Sequence, residues 1–269
     1  MKINFTLTLL LALAFLSCKK ESTSPEFDDK PVIAGYLAVG DTARLNISRL
    51  TPFSSDAQYS ADDINALQIT INANNINYVL QPKGNGNYMA SSPLLKISQP
   101  LTYNLNFTFN GKNVSATTTI PSKPTGYTQS ATSFSMTQIT ATTTSSGFGS
   151  FPDPIKLTWN NSDNSYYLIV VENIEANPEA INTKTDAPSR TFKNSPIQTN
   201  TYQIRANQFH YFGNHRLILY HINADYASLY NNNNNSSNNL TNSQTSVNNG
   251  AGIFTGLNAD TLFFQVLKY

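Results

Sequence analysis

Three histidines lie close together in this chain: His210, His215 and His221. Histidine is the commonest metal ligand, but a site would need all three to converge with a carboxylate. His215 and His221 share strand parity and His210 does not, and the nearest acid, Asp225, sits at the start of a helical pattern. The spacing therefore reads as edge or surface histidines around one strand. Glu172 and Glu175 would suit a glycosidase pair if they flanked a cleft, yet one ends a strand and the other lies in a loop. A serine nucleophile needs a base and an oxyanion hole, and no Gly-x-Ser-x-Gly elbow is present. Gly84-Asn85-Gly86 is too short for a phosphate loop and follows no strand-helix pattern. The expectation is a protein that is not an enzyme, with no metal and no cofactor.

Two aromatic groups bear on binding instead. Phe148 and Phe151 flank Gly149 in a loop between strands, and Tyr211 and Phe212 precede Gly213-Asn214. Aromatic rings on loops suit recognition of a sugar, peptide or partner, so these four are the candidate contact residues. The competing reading is that they fold under and cap a sandwich end. Asp41-Thr42-Ala43 and Asp260-Thr261-Leu262 fit a short O-glycosylation pattern, which makes Thr42 and Thr261 candidate modification sites.

The chain holds one cysteine, Cys18. It closes the apolar run Leu7–Leu16 after the basic Lys2, and Ser17 supplies a small residue before it. The run is too short to span a bilayer. It reads as a bacterial lipoprotein signal, residues 1–17, that leaves Cys18 as a lipidated first residue. Phe15 stands where leucine is commoner, and an ordinary secretory signal is the rival reading. One acyl chain anchors weakly, at about 0.8 kcal/mol per buried methylene, so durable attachment needs more than one. Residues 18–30 form a polar tether, and Lys20-Glu21 with the acids after it partly resembles a surface-sorting signal. The expected address is the outer membrane, with the cell surface favoured over the periplasm.

Of 17 Lys and Arg residues, Lys2 leaves with the signal, so 16 basic residues face 16 acidic ones. A neutral chain has no long-range field to draw nucleic acid, and no nucleic-acid partner is expected. With Cys18 lipidated no disulfide can form, so core packing alone must hold the fold.

The elements that would position any site are strands. Val32–Ala38, Ala43–Leu50, Leu67–Ala73, Ile76–Gln81, Leu101–Phe109 and Asn113–Ile120 alternate apolar and polar residues. Asn74-Asn75, Gly84–Asn87 and Asn110-Gly111 are hairpin turn signals between them. Residues 31–121 are therefore expected to form an Ig-like or transthyretin-like sandwich. Pro121–Gly126 interrupts the pattern as a linker. In residues 127–269, Ile155–Trp159 followed by Tyr166–Glu172 resembles the B and C strands of fibronectin type III domains, with Trp159 as a core residue. A short helix is expected from Asn223 as its cap, with Tyr226 and Tyr230 on one face. The Asn-rich tract 231–239 reads as a loop, and Gly250-Ala251-Gly252 as a turn before a closing strand, Thr261–Leu267. The fold class is all-β, two sandwiches and one short helix.

The order of these motifs resembles a family of Bacteroidota lipoproteins known as domain of unknown function 4249. The likeness rests on Pro31–Leu37 with Arg44–Arg49, on Ala116–Pro121, and on Val247–Phe254 after a tyrosine-bearing helix. The Asn tract departs from the family pattern. The resemblance implies an accessory lipoprotein, often encoded beside TonB-dependent outer-membrane transporters, and it supplies no site residues. The expected function is non-enzymatic capture of an unidentified nutrient with such a transporter. A structural or adhesive surface protein is the alternative, and an extracytoplasmic hydrolase has least support.

Overall fold

The computed structural model describes residues 29–50, 62–91, 95–143, 151–185, 189–231 and 245–269. Cys18, Phe148 and residues 232–239 of the Asn-rich tract lie outside these. The fold is all-β.

The first half supplies β1 (Pro31–Ala38), β2 (Arg44–Arg49), a helical turn α1 (Asp62–Asn65), β3 (Ile69–Ala73), β4 (Ile76–Gly84), β5 (Asn87–Ala90), β6 (Thr102–Phe109) and β7 (Lys112–Thr119). Alternation makes these strands, and β6 buries every second residue from Tyr103 to Phe109. Asn74-Asn75, Asn85-Gly86 and Asn110-Gly111 all have positive φ, which two-residue type I′ hairpins require.

The second half supplies β8 (Thr128–Gln129), β9 (Ser133–Met136), β10 (Ile155–Thr158), β11 (Tyr166–Asn173), β12 (Thr191–Lys193), β13 (Thr201–Ile204) and β14 (Gly213–Ile222). Then come the helix α2 (Ala224–Asn231), β15 (Val247–Asn248) and the 18-residue β16 (Ala251–Lys268). A small sheet, β13-β10-β8, faces β12-β11-β14-β16, with β9 added in parallel to the end of β16. Trp159 is buried between these layers, as expected of a core residue.

One strand joins the halves. Residues 251–257 of β16 pair in parallel with β1, and residues 257–266 pair antiparallel with β14. A large sheet therefore runs β12-β11-β14-β16-β1-β2-β5-β4-β3-β6-β7-β15. Its first-half portion rolls back until β7 meets β16 again. Gly256 permits that closure, since a Cβ there would lie 2.9 Å from the Thr119 carbonyl oxygen. Even-numbered residues of β16 enter both cores: Phe254 joins Ile33, Leu45 and Phe107, while Phe264 and Val266 join Leu157, Trp159 and Leu219.

This differs from a chain divided at Pro121–Gly126. The linker does separate the two cores in sequence, but Val247 and Phe254 return to the first one. The closing strand also begins ten residues before Thr261. Gly252 is part of it, at φ +90°, where a Cβ would come within 2.1 Å of the Ile33 carbonyl oxygen. Gly250 does turn the chain from β15 into β16, whereas Gly252 is a site of close backbone approach.

Candidate functional site

The histidines are brought to three separate places. His215 and His221 point from β14 into the second core, and both are buried. His215 accepts at Nε2 from the Asn173 amide at 3.2 Å and donates from Nδ1 to the Gly213 carbonyl at 3.0 Å. His221 stacks on Tyr167 at 4.9 Å and donates from Nδ1 to the Ser122 carbonyl at 2.8 Å. His210 is bonded to the Ser189 carbonyl instead. Among the described residues no group of three His, Cys, Asp or Glu is placed to hold a metal ion. Glu172 pairs with Arg216, and Glu175 accepts from the Asn214 backbone and side chain at 2.7 and 2.8 Å. Each carboxylate thus has a structural partner.

The candidate contact aromatics divide. Phe151 is exposed, at 62%. Tyr211 and Phe212 are buried, which removes them from the candidate contact surface. The reason is the segment around Ala180: it bridges to Tyr211, and the Phe212 amide donates to Glu179. The two rings cap the end of the second sandwich. Phe148 lies outside the described residues. Thr42 is half-buried and bridges to Lys96, while the half-buried Thr261 sits within β16 opposite Ile218.

A cavity lies elsewhere, at the seam of the sandwiches. The outer face of the large sheet carries Ala34, Tyr36 and Ala38 from β1, Leu168 and Val170 from β11, and Tyr220 and Ile222 from β14. Leu257 lies where β16 passes from one half to the other. The helix α2 covers one side of this face and buries Leu168, Ile222 and its own Ala227. What remains open is a groove of about 620 Å³.

Local chemistry places the helix. Asp225 in the first turn accepts from the Tyr226 amide at 2.7 Å and from the Thr255 hydroxyl at 2.8 Å, so it fastens α2 to β16. Asn223 directly precedes the helix, and its backbone carbonyl accepts from the Ala227 amide at 3.2 Å. Its side-chain amide reaches the Thr118 hydroxyl and the Thr119 carbonyl at 3.2 and 3.0 Å, tying α2 to the first sandwich. Tyr226 then meets Tyr36 edge-to-face at 5.6 Å and Tyr230 at 5.8 Å. Lys193 lies over the Tyr230 ring at 5.3 Å.

Electrostatics keep these phenols neutral. Burial pushes the Tyr36, Tyr220 and Tyr226 hydroxyls above the ordinary phenol range. Tyr230 adds to the rise at Tyr36 and, through its hydrogen bond, at Tyr226, whereas Lys193 opposes it at Tyr36. The groove offers neutral hydroxyls, an apolar floor and cations, with no paired general acid and base lining it.

Reasoning from loops overlooked this groove, although a signal existed. Tyr166–Val171 and Leu217–Ile222 are apolar on both faces, the mark of strands covered on both sides. Something had to lie on their outer face.

Among the described residues no helix is long and apolar enough to cross a membrane. A comparison with curated proteins finds no match. The family model described as Domain of unknown function (DUF4249) matches residues 20–262, a span that holds the first core, most of the second, β16 as far as Leu262 and the groove, and the chain belongs to that family.

Proposed function

We propose that this protein is a non-enzymatic binding lipoprotein, held at the outer membrane through lipids on Cys18 and working with a TonB-dependent transporter in nutrient capture. The observation that carries the reading is the seam groove. Its volume of about 620 Å³ falls in the range of small-molecule sites, about 300–1,000 Å³. Tyrosines combine a large apolar contact with a polar tip, which suits reversible holding. The start of the fold also suits a tether. Arg49 binds Asp29 and reaches Asp63 at 3.0 Å, and Asn110 donates to Asp29 at 2.8 Å. The chain before residue 29 therefore leaves from one fixed point.

Ala34→Trp tests the reading, because Ala34 is an exposed residue of the groove floor. Wild-type protein purified from its own membranes in mild detergent is expected to retain a small molecule in native mass spectrometry. Ala34→Trp is expected to lose it at unchanged Tm, while Cys18→Ala leaves the membrane fraction. Absence of a retained molecule from wild type, or equal retention by Ala34→Trp, would overturn the groove as the working site.

A further inference from the structure

Resting on that reading, we infer that the groove takes a single-chain amphiphilic anion: an aliphatic body ending in a carboxylate. Three observations define this occupant.

The first is the floor. Ala34, Ala38, Leu168, Val170, Ile222 and Leu257 present only hydrocarbon. Their strands lie inside the large sheet: β14 runs between β11 and β16, and β1 pairs with β16 over Val32–Ala38 and with β2 over Pro31–Ala34. An extended peptide binds by adding a strand to a sheet edge, whereas these strands occupy interior places in the sheet order. A sugar would find the Asn46 and Asn87 amides among the lining residues, but over the floor itself its hydroxyls would meet only hydrocarbon.

The second is the charge. The charged residues lining the groove are Arg44, Lys83, Lys193 and Asp41. The three cations outnumber the single acid, which stands 3.7 Å from Arg44 with both side chains more than half exposed. All three cations are exposed, so they lie on the solvent side of the apolar floor, where a carboxylate head would remain. An amphiphilic cation meets the same ring as repulsion.

The third is the hydroxyls. Tyr36 and Tyr220 line the groove, and a phenol, with an ordinary pKa of about 10, is protonated at neutral pH. A protonated phenol donates to a carboxylate oxygen. Arg44, Lys193 and these two phenols thus supply charge and direction together.

Isothermal titration calorimetry of residues 19–269, which retains every described residue, tests the assignment. The probes are octanoate, decanoate, dodecanoate, dodecan-1-ol and dodecyltrimethylammonium below their micelle concentrations, with phosphatidylglycerol vesicles as a further arm. One site is expected for the carboxylates, tightening about fourfold per added methylene until the groove is full. The ammonium amphiphile should not bind. The double variant Arg44→Gln/Lys193→Gln should weaken dodecanoate about tenfold and leave dodecan-1-ol unchanged, and Ala34→Trp should abolish both. Equal binding of alcohol and carboxylate, insensitive to the glutamines, overturns the anion and leaves the groove in place. Binding that survives Ala34→Trp overturns the groove itself. No binding by any amphiphile overturns the ligand class alone, since retention of the native molecule is a separate measurement. Binding to vesicles without binding to dodecanoate overturns it in favour of a membrane surface.

Discussion

The two sandwiches of this chain are built by different rules. In the first, β3, β4 and β5 follow one another through two-residue turns, as do β6 and β7, and neighbours in sequence are neighbours in the sheet. In the second, β10 pairs with β13 and β8, and its partners in the facing sheet arrive through long connections. The buried polar side chains follow the difference. Asn173, Asn194, His215 and His221 belong to the second sandwich, while the first has Thr118 and Thr255, and Asn258 lies where β16 passes between them. Asn194 accepts the Ile169 amide at 2.7 Å, and Asn173 donates to the Phe212 carbonyl at 3.0 Å. Tight hairpins satisfy their own backbone, whereas long connections need side chains to do it. The contrast ends at β16, which completes both cores.

Cutting that strand away should have the largest effect. A fragment of residues 31–121 lacks Val247 and Phe254, which lie inside its core. It is expected to show no cooperative melt by circular dichroism, and a peptide of residues 245–257 should restore one. A cooperative melt of the fragment alone would mean that hairpins suffice and that β16 is dispensable to the first sandwich.

Point changes ask whether the two cores melt together. Phe254 and Phe264 are fully buried in the first and second cores, and each alanine variant should cost about 3–5 kcal/mol. Trp159, the single tryptophan, lies in the second core, so its fluorescence follows that core while circular dichroism follows both. Phe254→Ala should lower the tryptophan midpoint as much as the circular dichroism midpoint, because the strand it weakens continues into the second sheet. Two separated midpoints would show that β16 connects the halves without coupling them.

The same contrast explains what could be read in advance. The alternation of β6 and the Asn-Gly turn after it are local signals, and the structure keeps both. Trp159 was legible for the same reason, through the short pattern around it. The groove was not, because it depends on residues in the 30s, 160s, 220s and 250s meeting across three strand pairings. No local pattern reports which outer faces adjoin. The doubly apolar β11 and β14 announced a covered face but not its cover. Tyr211 and Phe212 misled through Gly213-Asn214, a turn signal that says nothing of the segment around Ala180 folding above. Gly252 misled because close approach and turning both select glycine.

The smallest expected effect sharpens the comparison by acidity. Burial lowers the His215 pKa, with the Gly213 carbonyl and Glu175 acting in the other direction. The geometry agrees, since an Asn173 amide donating to Nε2 leaves no room for a proton there. The Asn173 carbonyl oxygen accepts from the Glu175 amide at 3.2 Å, so the side chain amide cannot flip without losing that bond. A histidine held neutral in the fold takes up its proton more readily when unfolded. The stability it contributes is therefore complete above the ordinary histidine value of about 6.5 and falls as pH drops below it towards the lowered native value. The slope from one such group is at most about 1.4 kcal/mol per pH unit. His215→Gln should lose less stability than wild type between neutral and mildly acidic pH in urea melts followed by Trp159. The first sandwich has no buried histidine among the described residues, so an effect of His215 on it has to pass through the elements the two share, β16 foremost. Equal pH slopes for wild type and His215→Gln would show that the Asn173 contact reorganises on protonation. A shallower slope in the variant by both tryptophan fluorescence and circular dichroism would carry the effect of one buried imidazole across the shared strand into a core it never touches.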